Sequence, residues 1–271
     1  MSASHKRNRI KTRTGSIAVF ESGSGTPLVF WPSLFSDHRL YSQVVRILGS
    51  DWRTFCIDGP GFGQSDPPQG EIPAQIYADT IIDILNALEI EKAFIAGCSW
   101  GGQIAAHIGA KAPERVHGVL IMNSPLGPSM GGHLFEVFGT RWFGSTQFWG
   151  NGVARSFFSK SLRENHPERV REFVSAFSSF DRIAAATTAR TVLARFPGLS
   201  SVLPELKVPT TILMGEEDRL YPVEKMRPFA RLAPMAKIEI IPKCGHLAPL
   251  EAPEVVVAAL HELRSRALGN S

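Results

Sequence analysis

Hydrophobic positions along the chain follow two alternating rhythms. Short uninterrupted runs such as Pro27-Leu28-Val29-Phe30-Trp31, Thr54-Phe55-Cys56-Ile57 and Ala93-Phe94-Ile95-Ala96 fit strands buried on both faces. Between them, apolar residues recur at helical spacing. Leu40, Val44, Ile47 and Leu48 form a stripe within His38–Leu48, and Ile81, Ile82, Leu85 and Leu88 do so within Ala74–Leu88. An Ala-rich helix is predicted from Gln103 to Lys111 and a strand from Val116 to Met122. Ahead of all these, Thr14–Glu21 reads as a strand leaving into the turn Ser22-Gly23-Ser24-Gly25. Strand–helix alternation with short loops predicts an α/β fold, a mostly parallel sheet covered by helices.

The rhythm breaks at Pro125. From there to about Pro204 the chain carries aromatic-rich, weakly periodic helical segments and no convincing strand. Alternation resumes with a strand at Thr210–Gly215, a helix near Glu224–Leu232, a strand at Lys237–Ile241 and a final helix at Ala252–Ser265. The expected organisation is an α/β core of residues 1–124 and 205–271 with a helical cap, 125–204, inserted into it.

With 271 residues, 44% of them hydrophobic and 20% charged, the composition is that of an ordinary globular protein. A chain of this length buries roughly three quarters of its unfolded surface and needs no disulfide or metal staple. A net charge of +4 and a pI near 9.1 raise the question of a polyanionic partner. Much of the excess sits in His5-Lys6-Arg7-Asn8-Arg9-Ile10-Lys11-Thr12-Arg13, which reads as a frayed, solvated terminus. No aromatic residue interleaves it and no nucleic-acid motif follows, so no nucleic acid is expected as partner. The N-terminus lacks the apolar core of a signal peptide, and no run approaches eighteen apolar residues. The expectation is a cytoplasmic protein without a membrane partner. Its oligomeric state is not legible. The three cysteines, Cys56, Cys98 and Cys244, show no metal-like spacing and read as small buried thiols.

Candidate chemistry begins at Gly97-Cys98-Ser99-Trp100-Gly101, a G-x-S-x-G pentapeptide. Alone it is a weak signal. Its position, where an apolar strand ends and a small-residue helix begins, is what a nucleophile elbow requires. A serine hydroxyl needs a base within hydrogen-bond reach. Of the eight histidines, His246 stands in Lys243-Cys244-Gly245-His246, directly after a buried strand and so at the same sheet edge. His38 and His133 read only as pocket-lining candidates. An orienting carboxylate should lie in another loop at that edge, between serine and histidine in sequence. Met214-Gly215-Glu216-Glu217-Asp218 follows a strand and offers three, with Asp218 and Glu217 the leading candidates.

These residues together resemble the α/β-hydrolase superfamily across nearly the whole chain. Asp58-Gly59-Pro60-Gly61-Phe62-Gly63-Gln64-Ser65 is similar to that superfamily's D-x-P-G-x-G-x-S turn, and Gly245-His246 to its histidine loop. Gly215-x-x-Asp218-x-x-x-Pro222 resembles its acid loop, which favours Asp218 over Glu217. The resemblance implies a sheet of about eight strands, an inserted helical cap, and a triad of Ser99, Asp218 and His246. Where many members carry a His-Gly pair after the third strand, this chain has Pro32-Ser33. Setting Tyr41 against the aromatic residue that ends that motif makes the main-chain N–H of Leu34 an oxyanion donor beside that of Trp100. A shift of one residue would make the donor Ser33, while Pro32 has no N–H to offer. The Ser33-Leu34 pair resembles the 3-oxoadipate enol-lactonase branch.

The cap region supplies Phe135, Phe138, Trp142, Phe143, Phe148, Trp149, Phe157 and Phe158. Most are expected to form its own small core. Trp142, Phe143, Trp149 and Phe157 are the candidates for an apolar substrate pocket. No basic cluster there suggests a dianionic substrate. Glu164, Glu168 and Glu172 recur every four residues, as on a solvated helix face, and keep an aminopeptidase weakly in view. The expected activity is hydrolysis of a small-molecule carboxylic ester or lactone through an acyl-enzyme on Ser99, and no cofactor or metal is implied. Two alternatives stand: hydrolysis of a carbon–carbon bond in a vinylogous diketone by the same triad, and a ligand receptor or signalling module built on the hydrolase fold.

Overall fold

The computed structural model describes residues 6–126, 139–144, 146–195 and 198–269. Eight strands form one sheet: β1 (Lys6–Thr12), β2 (Gly15–Ser22), β3 (Thr26–Trp31), β4 (Trp52–Ile57), β5 (Ala93–Cys98), β6 (Val116–Met122), β7 (Thr210–Gly215) and β8 (Ala236–Ile241). Their spatial order is β1-β2-β4-β3-β5-β6-β7-β8. β1 and β2 pair antiparallel, as do β2 and β4, and every other neighbouring pair is parallel. All six residues of β5 and all six of β7 are buried, as the unbroken apolar runs require of strands covered on both faces.

Helices α1 (Ser42–Leu48), α2 (Ala74–Ala87), α3 (Trp100–Lys111) and α11 (Pro253–Leu268) cover the sheet, α1 packing on α11 and α2 on α3. α1 is entered through a 3-10 turn, His38–Tyr41, where one continuous helix was expected. Asp37 caps that turn by accepting from the Arg39 N–H, which fixes its start ahead of the regular helix. Between β6 and β7 the described residues include no strand; they form α4 (139–143), α5 (Gln147–Phe157), α6 (Lys160–Asn165), α7 (Pro167–Ser178), α8 (Arg182–Arg195) and a 3-10 turn at Leu203–Glu205. After β7 come α9 (Val223–Ala230) and, past β8, the short α10 (Ala248–Glu251).

The basic N-terminal run is not a frayed tail. Lys6–Thr12 is the edge strand β1, paired in register with β2 from Lys6 opposite Glu21 to Thr12 opposite Gly15. Two of the run's arginines are paired: Arg9 with Asp66 at 2.6 Å, and Arg13, just past the strand, with Asp83 at 2.8 Å and Asp79 at 2.9 Å. Ile10 alone is buried in the strand, so polar and charged residues at the other positions conceal the alternation that would announce it.

The chain leaves β3 for β4 on one side and later places β5 on the other. Parallel sheets of this kind bind ligands in the crevice outside the carboxyl ends of the strands where the winding reverses. The loops after β3, β5, β7 and β8 all emerge at that edge.

Candidate functional site

Ser99 stands between β5 and α3 with φ 54° and ψ −112°, a left-handed backbone that side chains rarely adopt. The turn is tight enough to dictate its glycines. A Cβ on Gly97 would overlap the backbone of Gly101, and one on Gly101 would overlap the carbonyl of Trp31. The strained serine is over-determined by its surroundings: its N–H donates to the Met122 carbonyl at 2.8 Å, and its carbonyl accepts from the Ser124 hydroxyl at 2.9 Å.

Asp218, in the loop after β7, receives four hydrogen bonds. Oδ1 accepts the N–H groups of Leu220 at 2.9 Å and Tyr221 at 3.1 Å. Oδ2 lies 3.0 Å from Nδ1 of His246 and accepts from the Asn123 amide at 3.2 Å. Burial works against the charge on Asp218, yet the neighbouring His246 and these donors outweigh it and hold the carboxyl below its ordinary value. With Nδ1 facing a carboxylate, the imidazole presents Nε2 on its other side, and that atom has no hydrogen-bond partner among the described residues. The ring is held between Phe157, 5.0 Å away, and Tyr221, 5.4 Å away, centre to centre. Glu217 takes no part in this: its carboxylate accepts the N–H of Lys160 at 2.9 Å, at the start of α6.

Ser99 and His246 line a single cavity of about 210 Å³, together with Leu34, Trp149, Phe157 and Tyr221. Of the four aromatic pocket candidates, Trp149 and Phe157 face it. Trp142 and Phe143 do not; they are 65% and 54% exposed at the end of α4, beside the turn in which the Gly144 N–H closes on the Thr140 carbonyl. A weakly periodic aromatic run does not announce which side of each helix faces inward, and α5 buries Gly150, Val153, Ala154 and Phe157 while Phe148 points to solvent. Phe135, Phe138 and His133 lie outside the described residues. His38 is not in this cavity either: it stacks on Phe20 and meets Asp58 at 2.7 Å. The Glu164, Glu168 and Glu172 series is not one helix face, because Pro167 starts α7 between the first and second of them.

Leu34, buried and lining the cavity, follows β3 immediately beside the elbow. Its loop is fastened from below by Asp58, whose Oδ1 accepts the His38 N–H at 2.8 Å while Oδ2 accepts that of Gln64 at 2.8 Å. Trp100 opens α3, so its N–H belongs to the first turn, where helices leave donors without intrahelical partners. Its ring packs so closely on Gly59 that a Cβ there would meet it at 2.7 Å, which accounts for the glycine in the Asp58-Gly59-Pro60 turn.

The match to the protein family described as alpha/beta hydrolase fold runs over residues 26–253. The chain belongs to the α/β-hydrolase family. Among individual relatives, the chain is 25% identical over 252 residues to the dihydrolipoyllysine-residue acetyltransferase component of the acetoin cleaving system of Pseudomonas putida; the match covers 88% of this chain but only 63% of that protein. It is 25% identical over 257 residues to 3-oxoadipate enol-lactonase 1 of Acinetobacter baylyi, covering 89% of this chain and 90% of the relative. A thermophilic esterase from Thermogutta terrifontis, solved with malate bound, superposes with a TM-score of 0.87 at 25% identity over 97% of this chain and 99% of the esterase.

Four contributors lie outside the motifs read from the sequence. Asn123 donates to both Asp218 and the Gly245 carbonyl, tying acid loop to histidine loop. Ser124 supports the Ser99 carbonyl. Glu251 accepts the N–H groups of Gly245 at 3.0 Å and Ser159 at 3.2 Å, binding the histidine loop to the start of α6. Tyr41 links the ends of β3 and β5 through its hydroxyl. Only Tyr41 carried a signal beforehand, as an alignment anchor rather than as a brace. Cys98 and Cys244 are driven upward in pKa chiefly by burial, which keeps both as thiols beside the site.

Proposed function

We infer that this hydrolase cleaves a small carboxylic ester or lactone through an acyl-enzyme on Ser99. The observation that carries the reading is a strained serine sharing one small, apolar cavity with an imidazole whose Nδ1 is held by a buried carboxylate. In this scheme Oγ of Ser99 attacks the substrate carbonyl while Nε2 of His246 takes its proton. Asp218 fixes the tautomer and stabilises the imidazolium without accepting the proton itself. The N–H groups of Leu34 and Trp100 receive the developing oxyanion; one such donor contributes about 3 kcal/mol to lowering the barrier. His246 then returns the proton to the leaving oxygen, and a water activated by the same nitrogen releases the acid. Residues 125–204 act as a cap, with Trp149 and Phe157 excluding bulk water from the reacting carbonyl.

Relatives named as an enol-lactonase and an esterase support an oxygen-ester substrate. The test is hydrolysis of p-nitrophenyl butyrate and of a γ-lactone panel by the wild type and by Ser99→Ala, with fluorophosphonate labelling of both. Turnover and labelling that vanish together in Ser99→Ala are expected. Undiminished turnover in that variant would exclude Ser99 as the nucleophile.

A further inference from the structure

The cavity at Ser99 has a larger neighbour. A second cavity, of about 570 Å³, lies beyond the loop that follows β3, lined by Leu40, Phe173, Ala176 and Leu250 among others. Phe35 lines both cavities. Its ring is buried and braced by Phe177, 5.4 Å away, and by Phe62, edge-on at 6.2 Å. A second aromatic pair continues the wall: Phe157 faces the small cavity, Phe173 the large one, and their rings lie 5.8 Å apart. Phe35 holds a backbone φ of 61°, a conformation strained for a bulky residue, directly after the proposed oxyanion donor Leu34.

We propose that Phe35 is a specificity-determining partition. It confines the acyl group to short chains, and the cavity behind it is a latent subsite for a longer alkyl chain. The inference rests on the ester reading above. At about 210 Å³ the first cavity falls below the range usual for ligand pockets, whereas the second lies well inside it. Both cations on the rim of the second are engaged: Arg39 forks onto Asp37, and Arg169 donates to the Leu250 carbonyl at 2.9 Å. Ser36, Gln43, Glu172 and Ser175 give the rest of that lining polar groups, while Phe35, Leu40, Phe173, Ala176 and Leu250 supply an apolar wall that suits methylenes. Each methylene buried on such a surface favours binding about fourfold.

The experiment measures kcat/KM for p-nitrophenyl octanoate relative to butyrate in the wild type, Phe35→Ala, Phe35→Gly and Phe177→Ala. Glycine tolerates the positive φ, so Phe35→Gly guards against misfolding of the alanine variant. Phe177 lines neither cavity and supports both the Phe35 and the Phe173 rings from behind. The wild type is expected to prefer butyrate, with the octanoate ratio rising at least tenfold in both Phe35 variants and by less in Phe177→Ala. Folded Phe35 variants whose ratio stays within twofold of the wild type would overturn the partition. Competition between short- and long-alkyl fluorophosphonates for Ser99 gives the same comparison without turnover, and an unchanged preference there counts equally against it. A folded wild type that neither hydrolyses esters nor takes any label would instead sink the ester reading.

Discussion

The Tyr41 hydroxyl donates to the carbonyl oxygen of Trp31 at 2.7 Å, closing the end of β3 onto the strand that leads into Ser99. The same oxygen accepts the N–H of Cys98 at 3.1 Å, one residue before Ser99. Tyr41→Phe keeps the ring, which stacks on Phe30, but leaves a buried carbonyl and a buried N–H without this partner. Such losses cost about 1–3 kcal/mol. Thermal denaturation should show a Tm several degrees lower, and kcat should fall because the elbow loses its tether to β3. An unchanged melt and an unchanged rate would show the bridge to be dispensable.

Asp218→Asn preserves shape and removes charge. With an amide beside Nδ1, the imidazole loses the partner that selects its tautomer, and kcat should drop on the order of 10³–10⁴-fold with little change in KM. Asp218 also bears on acid stability. Its folded pKa is depressed, so its contribution is complete above the ordinary carboxylate value of 3.8 and is lost as pH falls through the shifted one. Acid titrations of wild type and variant should therefore converge at the acidic extreme. Curves that stay parallel there would contradict this assignment.

Gly97→Ala places a methyl group into the backbone of Gly101. The elbow is pinned by β3 on one side and β6 on the other, so it cannot shift to make room. The overlap should cost at least about 3 kcal/mol, seen as a drop in Tm of roughly 6–12 °C or as insoluble protein. A stable, active variant would mean that the turn relaxes in a way its packing does not suggest.

Glu251→Gln tests the junction between histidine loop and α6. Burial, its largest influence, raises the Glu251 pKa despite the N–H donors at Ser159, Gly245 and Leu247. The folded state thus holds the Glu251 proton more tightly than the unfolded chain does. Its contribution to stability is full below 4.5 and declines as pH rises through the shifted value. Glutamine does not titrate, so the Tm of the variant relative to wild type should rise between pH 4 and pH 7. A Tm difference independent of pH would show that Glu251 ionises alike in both states.

Where the sequence was readable, the physics was local. Val116–Met122 and Thr210–Gly215 are strands over the full spans that their runs predict, because all but His117 of their residues are buried and few polar positions blur the ends. β1 was hidden for the opposite reason: six of its seven positions are polar or charged, and what holds it is pairing with β2 and ion pairs to residues more than fifty positions away. At the site, Ser99, Asp218 and His246 stood out through their positions at strand ends. Asn123 and Glu251 did not, since each acts through hydrogen bonds to loops that only the fold brings near. Trp142 and Phe143 resisted reading because the helices between β6 and β7 are short and mixed in polarity, leaving the inward side undefined until they pack.

The main-chain N–H of His246 donates to the carbonyl of Phe157 at 2.7 Å, where α5 ends. Any motion of the β6–β7 segment that admits a ligand must therefore hinge about this fixed point, since hoisting the end of α5 would carry the imidazole off Asp218. The start of α6 is moored to the same loops, at Ser159 by Glu251 and at Lys160 by Glu217, so the imidazole and the helices above it travel together or not at all.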